Sequence, residues 1–268
     1  MIIAETSQKQ TVILETNELY FLSELFGAGA STEGDNPILT YYAQGEMNED
    51  WEKARESLLA KGILRKAGGG VELEERAFSG LAPLLFADKA CWMKYKTGTG
   101  IYEESLLVTD EKVMAMELWQ GEPALHRVDE IGGVKEACGI LADKLKWNRR
   151  TPEEIPALLL SKRQFEDIHS RADELDMEEI MEELSKISDD QEGIIALAKC
   201  MKTSVSQGDL RLFARHGMKW ECQSAQFMNN HHLNWLIRAS SREDEDWLIA
   251  TPTPQEKFHE MLQHWFQQ

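Results

Sequence analysis

The apolar positions of this chain alternate between strand and helix spacing, and the second half of the pattern restates the first. Val12-Ile13-Leu14 is a short apolar run that passes directly into Leu19, Leu22 and Phe26 at helical spacing. Leu160 stands to Leu14, Phe165 to Leu19 and Ile168 to Leu22 at one constant offset, so strand, polar break and helix face recur in register. Both halves also close alike. Residues 106–145 predict strand, turn, strand and amphipathic helix, and residues 225–266 predict the same order.

Between these landmarks, residues 27–36 are rich in Gly, Ala, Ser and Asp and read as a loop. Trp51, Ala54, Leu58 and Leu59 share a helix face that Gly62 ends as a C-cap. Ile63-Leu64, the turn Gly68-Gly69-Gly70 and a short strand with Val71 and Leu73 follow. A helix is expected over 81–90 with Pro83 near its start. From Cys91 the spacing alternates, Trp92, Lys94 and Lys96 against Met93 and Tyr95, up to the turn Thr97-Gly98-Thr99-Gly100. Strands are expected at 104–109, 113–119 and 124–128, the last two joined around Gly121, and then a helix along Val134, Ala137, Cys138, Leu141 and Leu145.

Residues 147–154 form a polar connection. The acid-rich stretch 171–190 keeps Leu175, Ile180, Leu184 and Ile187 at helical spacing and reads as a solvated helix or helix pair, with an apolar helix over 194–201. Strands are expected at 209–213, 218–224 and 225–228. The turn Asn229-Asn230-His231-His232 then leads into 233–238, and the turn at 240–246 into 247–250. Thr253 is the expected N-cap of a last helix with Pro254 at its first position and Phe258, Met261, Leu262, Trp265 and Phe266 on one face. The fold class is α+β, with antiparallel strands in each half and helices gathered on one side, the halves spanning 1–148 and 149–268.

Composition narrows the function classes. Lys and Arg number 29 against 47 Asp and Glu, a net charge of -18 that repels phosphate backbones and anionic lipid, so neither nucleic acid nor membrane insertion is expected. Cys91, Cys138, Cys200 and Cys222 are far apart without C-x-x-C spacing, which fits a reducing compartment. Residues 1–10 lack the features of a signal peptide and no stretch is long enough to span a bilayer, so a cytoplasmic location is expected.

Phosphate-loop, nucleophile-elbow, zinc-protease and dinucleotide signatures are absent, so an enzyme is not expected and no cofactor is implied. His231-His232 with Cys222 is a poor metal set, because adjacent strand residues point to opposite faces; no metal is expected. The acids Asp173, Glu174, Glu178, Glu179, Glu182 and Glu183 read as a solvated face. Residues 51–73 carry the helix, turn and strand of a winged-helix regulator, but Lys53, Arg55, Lys61, Arg65 and Lys66 are diluted by Glu49, Asp50, Glu52 and Glu56. That regulator and an uncharacterised enzyme are the alternative readings.

Three passages carry a family resemblance: Asn17-Glu18-Leu19-Tyr20-Phe21-Leu22, Leu58-Leu59-Ala60-Lys61-Gly62-Ile63, and Trp247-Leu248-Ile249-Ala250-Thr251-Pro252 before the terminal helix. In this order they resemble the EspG family, cytosolic chaperones of type VII (ESX) secretion systems. The resemblance implies two quasi-symmetric halves, each an antiparallel sheet with a helical bundle. It also implies a non-enzymatic chaperone or adaptor that covers the apolar tip of a helical secreted protein. With its abundance of Lys, Glu and Met the chain resembles a divergent Gram-positive member, and the resemblance implies a client that is WXG100-like, LXG-type or PE-PPE-like. The expected partner face comprises Met114, Met116, Leu118 and Trp119 on the first hairpin strand, Leu233, Trp235 and Ile237 on its counterpart, and Met228 at the end of the strand before it. Met114, Met116 and Met228 are equally suited to a core, and for Trp119 and Trp235 packing under the helices of their own half is the favoured alternative. A monomer or weak dimer is expected.

Overall fold

The computed structural model describes residues 11–25, 37–38, 51–110, 112–119, 125–149, 152, 154–217, 219–242 and 245–267. The loop expected at 27–36, the N-terminal residues 1–10 and the turn at Gly121 lie outside the described residues. Strand β1 (Thr11–Glu15) runs straight into helix α1 (Thr16–Leu25). There follow α2 (Trp51–Ala60), β2 (Leu64–Ala67), β3 (Gly70–Leu73), α3 (Glu75–Phe86), β4 (Lys89–Thr97), β5 (Gly100–Val108), β6 (Val113–Trp119), β7 (Leu125–Gly132) and α4 (Val134–Lys144). Next come β8 (Leu158–Ser161), α5 (Lys162–Ser170), α6 (Met177–Ser185) and α7 (Gln191–Lys202). Strands β9 (Ser206–His216), β10 (Lys219–Asn229), β11 (Asn234–Arg242) and β12 (Glu245–Pro252) precede the last helix, α8 (Gln255–Gln267).

The class is α+β with a large antiparallel sheet. Hydrogen bonding orders its strands β1-β7-β6-β5-β4-β9-β10-β11-β12-β8, and β2 with β3 makes a separate hairpin. The chain divides into two compact units. One comprises Met1–Trp92, Glu103–Ala137 and Leu212–Cys222, the other Met93–Tyr102, Cys138–Arg211 and Gln223–Gln268.

In the first unit, Val12 and Leu14 are buried while Thr11 and Ile13 are exposed, the alternation of a strand with one covered face. Leu14, Leu19, Leu22, Leu58, Leu81 and Leu84 join Leu107, Met114 and Met116 in one core. Helix α2 ends in a Schellman motif: Gly62 N–H donates to Leu59 O at 3.1 Å and Ile63 N–H to Leu58 O at 2.9 Å. Gly62 supports this with φ of 67°, the left-handed conformation in which it was expected. The β2–β3 hairpin turns through Gly68 and Gly69, both at positive φ (54° and 93°), the requirement of a type I′ turn.

In the second unit, Leu158 and Leu160 of β8 and Phe165 and Ile168 of α5 pack with Ile180, Leu184, Ile194 and Leu197 of α6 and α7. Trp235, Ile237, Leu248 and Ala250 complete that core from β11 and β12. The acid-rich stretch 171–190 forms one helix, α6, and its last residue, Asp190, caps α7. Asp176 and Glu179 form a reciprocal capping box on α6, and Asp190 accepts from Gly193 N–H at 2.7 Å on α7.

Three sequence expectations are corrected. Helix α3 starts at Glu75 and ends at Phe86, because its buried face begins with Ala77, a turn ahead of the leucine cluster. Pro83 is therefore interior and Ala90 belongs to β4. The strands expected at 218–224 and 225–228 are one continuous strand, β10, despite the polar Gln223-Ser224 in its middle. The Thr253 hydroxyl donates to Thr251 O at 2.9 Å and so faces back along the strand instead of capping α8.

Candidate functional site

The residues expected to form a partner face are mostly interior. Met114 and Met116 are fully buried in the core of the first unit, where Leu118 packs half-buried against them. Trp119, at the end of β6, stays 47% exposed. Met228, Leu233, Trp235 and Ile237 all lie in the core of the second unit. Side chains covered by their own chain have little apolar area left to offer. The exceptions are Trp119 and Leu118 at a strand end; Met228 and Ile237 border an open cleft but are only 2% exposed.

That cleft, within the second unit, has a volume of about 260 Å³. Six elements contribute to it. Strand periodicity places Lys94 and Lys96 on one face of β4, Gln207 and Asp209 on one face of β9, and Gln226 and Met228 on one face of β10. Ile237 of β11 stands directly opposite Gln226 in the antiparallel register. Helix α5 adds Phe165 and His169, one turn apart, with rings nearly parallel (5°) and centroids 5.8 Å apart. Ile101 of β5 completes the lining and is 67% exposed.

Two local features shape the cleft. Gly208 has no side chain where one does not fit: a Cβ there would lie 2.2 Å from Lys94 O and 2.6 Å from Tyr95 Cα. The turn before Ile101 is tied by hydroxyls, with Thr99 Oγ1 2.8 Å from both Thr97 Oγ1 and the Tyr102 hydroxyl. Tyr102 in turn stacks on Tyr95, centroids 5.3 Å apart. The wall that carries Ile101 is thus braced by neighbours on both strands.

Sequence reasoning missed Ile101, Phe165, His169, Gln207 and Asp209 as neighbours, since they come from separate elements. One signal was present. Gly100-Ile101-Tyr102 puts two apolar side chains straight after a turn, where polar residues are the norm.

The cleft holds an apolar floor with amine, imidazole and carboxylate groups around it. Among the described residues, no group of three or more His, Cys, Asp and Glu is placed to hold a metal. Cys138 and Cys200 are buried, which pushes their thiols up to about 12 and keeps them protonated. In the helix-and-hairpin segment that suggested DNA binding, Arg55 pairs with Glu52 at 2.9 Å and Arg65 with Glu72 at 2.6 Å. Those cations already face carboxylates, which weakens a phosphate-reading role. Among the described residues no helix is long and apolar enough to cross a membrane.

No family model matches the sequence, and no curated protein matches it. Its structure does match solved structures. One is the Mycobacterium tuberculosis type VII secretion system chaperone EspG5 in complex with the PE25-PPE41 dimer, with a TM-score of 0.57 at 11% sequence identity. The match covers 96% of this chain and 95% of that chain, so it concerns the whole arrangement of elements and not one motif. The chain accordingly has the EspG-like fold, an α+β architecture on a large antiparallel sheet.

Proposed function

We propose that this protein is a non-enzymatic, cytosolic chaperone or adaptor for a helical substrate of type VII secretion. The observation that carries the reading is the near end-to-end fold likeness to a chaperone solved with a PE-PPE pair. The cleft of the second unit supports it. A cavity of about 260 Å³ with Ile101, Phe165, Met228 and Ile237 around it is the size of one large apolar side chain. Burying such a side chain contributes about 1.5–3 kcal/mol, enough to shield an aggregation-prone tip while leaving it free to be handed on. The client is a helical secreted protein of the WXG100-like, LXG or PE-PPE-like kind. Met228 and Ile237, at the floor of the cleft, form part of its contact; Leu118 and Trp119, the accessible members of the expected face, form a second candidate contact.

The reading includes a two-half organisation, 1–148 and 149–268, derived from one ancestral half. Its support is the matching course of the strands: β1 beside β7 and then β6, β8 beside β12 and then β11. In each case a short strand leads directly into a helix, α1 or α5.

The test is co-purification. The tagged protein, expressed in its native bacterium, should retain a helical secreted protein in stoichiometric amount, and Ile101→Arg should release it while the circular dichroism spectrum stays unchanged. Recovery of DNA, or of the same client by both proteins, would sink the reading of the cleft.

A further inference from the structure

We propose that the outer edge of β8 is a self-association surface, on which β8 of a second copy of this chain pairs antiparallel. The contact involves neither the cleft nor its client.

The strand order ends at β8, whose one neighbour in the sheet is β12. Directly after β12, Thr253 N–H donates to Asn234 O at 2.8 Å, so the odd-numbered residues of β12 turn their backbone groups toward β11. Alternation then turns Leu248 and Ala250 toward β8, where they stand opposite Leu160 and Leu158. The N–H and C=O of Leu159 and the N–H of Ser161 therefore point away from the sheet. Among the described residues these groups have no hydrogen-bond partner.

Strand β1, at the other end of the order, is treated differently. Its outward groups are taken by side chains: Ile13 O accepts from Lys61 Nζ at 3.2 Å, and Glu15 N–H donates to Glu18 Oε2 at 2.7 Å. At the constant sequence offset, Leu159 stands to Ile13, Ser161 to Glu15 and Gln164 to Glu18. Gln164 is exposed, and Ser161 heads α5 without a side-chain cap. A charged pair that closes one edge is thus missing at the other, and an apolar edge strand with free backbone groups is a template for a further strand.

The flanks of β8 name that strand. Glu154 precedes it and Arg163 follows it; both are exposed, and among the described residues neither has an ion-pair partner. When two copies of β8 pair antiparallel about Leu159, the leading flank of each lies beside the trailing flank of the other. Glu154 of one copy then meets Arg163 of the next, and the two-fold axis repeats the pair. The same arrangement sets Leu159 against its own copy, so each N–H finds the other's C=O. A strand of 4 residues buries less than the roughly 1,000 Å² of a stable interface, so the dimer is weak and depends on concentration.

The test is sedimentation of the full-length protein from about 1 µM to about 1 mM, the span over which a weak interface populates both states. The net charge of -18 opposes association at long range. Physiological ionic strength screens that repulsion beyond about 8 Å and leaves attraction between charges in contact. A monomer–dimer equilibrium is expected, with the Leu159 and Ser161 amides gaining protection from hydrogen exchange as concentration rises. Arg163→Glu should weaken the dimer by roughly tenfold or more, because it turns both attractions into repulsions. Glu154→Arg/Arg163→Glu restores opposite signs and should return it to within about twofold of the natural protein. Leu159→Pro removes an N–H that β12 does not use, so it should abolish the dimer with the circular dichroism spectrum unchanged. Monomer at every concentration overturns the proposal. A dimer whose strength ignores the charge reversal has another interface and overturns it as well.

Discussion

Lys61 Nζ lies 2.6 Å from Glu18 Oε2, and the Glu18 side chain is only 1% exposed. The same oxygen accepts the Glu15 N–H at 2.7 Å, and the same amine donates to Ile13 O at 3.2 Å. The pair therefore ties the end of β1, a terminal strand of the sheet, to the turn after α2. Removing the amine leaves a carboxylate buried without its counter-charge. Because Lys61 itself is partly exposed, water offsets some of that loss, and Lys61→Met should cost about 1–3 kcal/mol. Glu18→Gln with Lys61→Met should recover part of it, since the buried charge is gone. Urea melts of the natural protein, of Lys61→Met and of the double variant measure this as shifts in midpoint. An unchanged midpoint for Lys61→Met would mean that the pair does not hold β1. Light scattering adds a second readout, because a strand end stripped of its charged groups is open to pairing with another chain.

His126 on β7 is fully buried, its Nε2 3.0 Å from the Thr16 hydroxyl, and burial pulls its pKa down to about 4. The folded value is below the ordinary value of about 6.5, so protonation favours the unfolded chain. The stability held by the neutral ring is complete above about pH 6.5 and is lost as pH falls from there through about 4. Its size is at most roughly 3 kcal/mol. His126→Gln keeps a polar group near Thr16 and cannot be protonated. Its stability should fall less steeply over that range than that of the natural protein, whose carboxylates titrate equally in both. Parallel denaturation curves for the two proteins from pH 7 to about 4 would show that His126 is not the titrating group.

Where the sequence was legible, a residue type forced a local geometry. Gly62 reads as a cap because no other residue takes its φ so cheaply, and Gly68-Gly69 reads as a tight turn for the same reason. Pro83 misled, since a proline inside a helix is rarer than one at its start, and here the packing of Ala77, Leu81 and Leu84 holds the helix on both sides of it. The methionines illustrate a different limit. Alternation shows that Met114 and Met116 share a face of β6, but not that a helical layer covers it. The cleft was illegible for a stronger reason. Lys96, Phe165, Asp209 and Ile237 meet only once the strand order is known, and nothing local encodes that order.

Gly208 gives a direct check on the cleft wall. A methyl at this position meets backbone atoms of Lys94 and Tyr95 at 2.2 and 2.6 Å, and backbone cannot swing aside as a side-chain tip can. Gly208→Ala should therefore cost about 1–3 kcal/mol or more and should weaken client binding by displacing Lys94. Gly98→Ala is the control, since a Cβ there has no atom within 4 Å. It should change stability by no more than about 0.5 kcal/mol. Equal melting of the two variants would mean that the strands part without cost and that the wall is softer than its geometry implies.

Asn234 is fully buried and pairs both backbone groups of Asn148 in the connection out of α4. Its Oδ1 accepts the Asn148 N–H at 2.8 Å, and its Nδ2 donates to Asn148 O at 2.9 Å and to Thr253 O at 3.2 Å. Thr253 O has a second donor in the Trp147 indole at 2.8 Å, and that indole stacks on Phe258 with centroids 3.8 Å apart. Loss of the amide thus orphans chiefly the backbone of Asn148, while Trp147 continues to anchor its side of the contact. Asn234→Leu is close in size and removes both donor and acceptor, so the expected cost is about 2–4 kcal/mol from the two unpaired backbone groups. Asn234→Asp keeps an acceptor but replaces the donor with a buried negative charge facing two carbonyls. It should be the more destabilising at neutral pH and should regain stability as the solution is acidified and the carboxyl becomes a donor. Hydrogen exchange at the Asn148 amide separates this from a general loss of packing. Selective loss of protection there in Asn234→Leu, beyond the global change, is the expected result; exchange that rises equally across the second unit would assign the cost to packing instead.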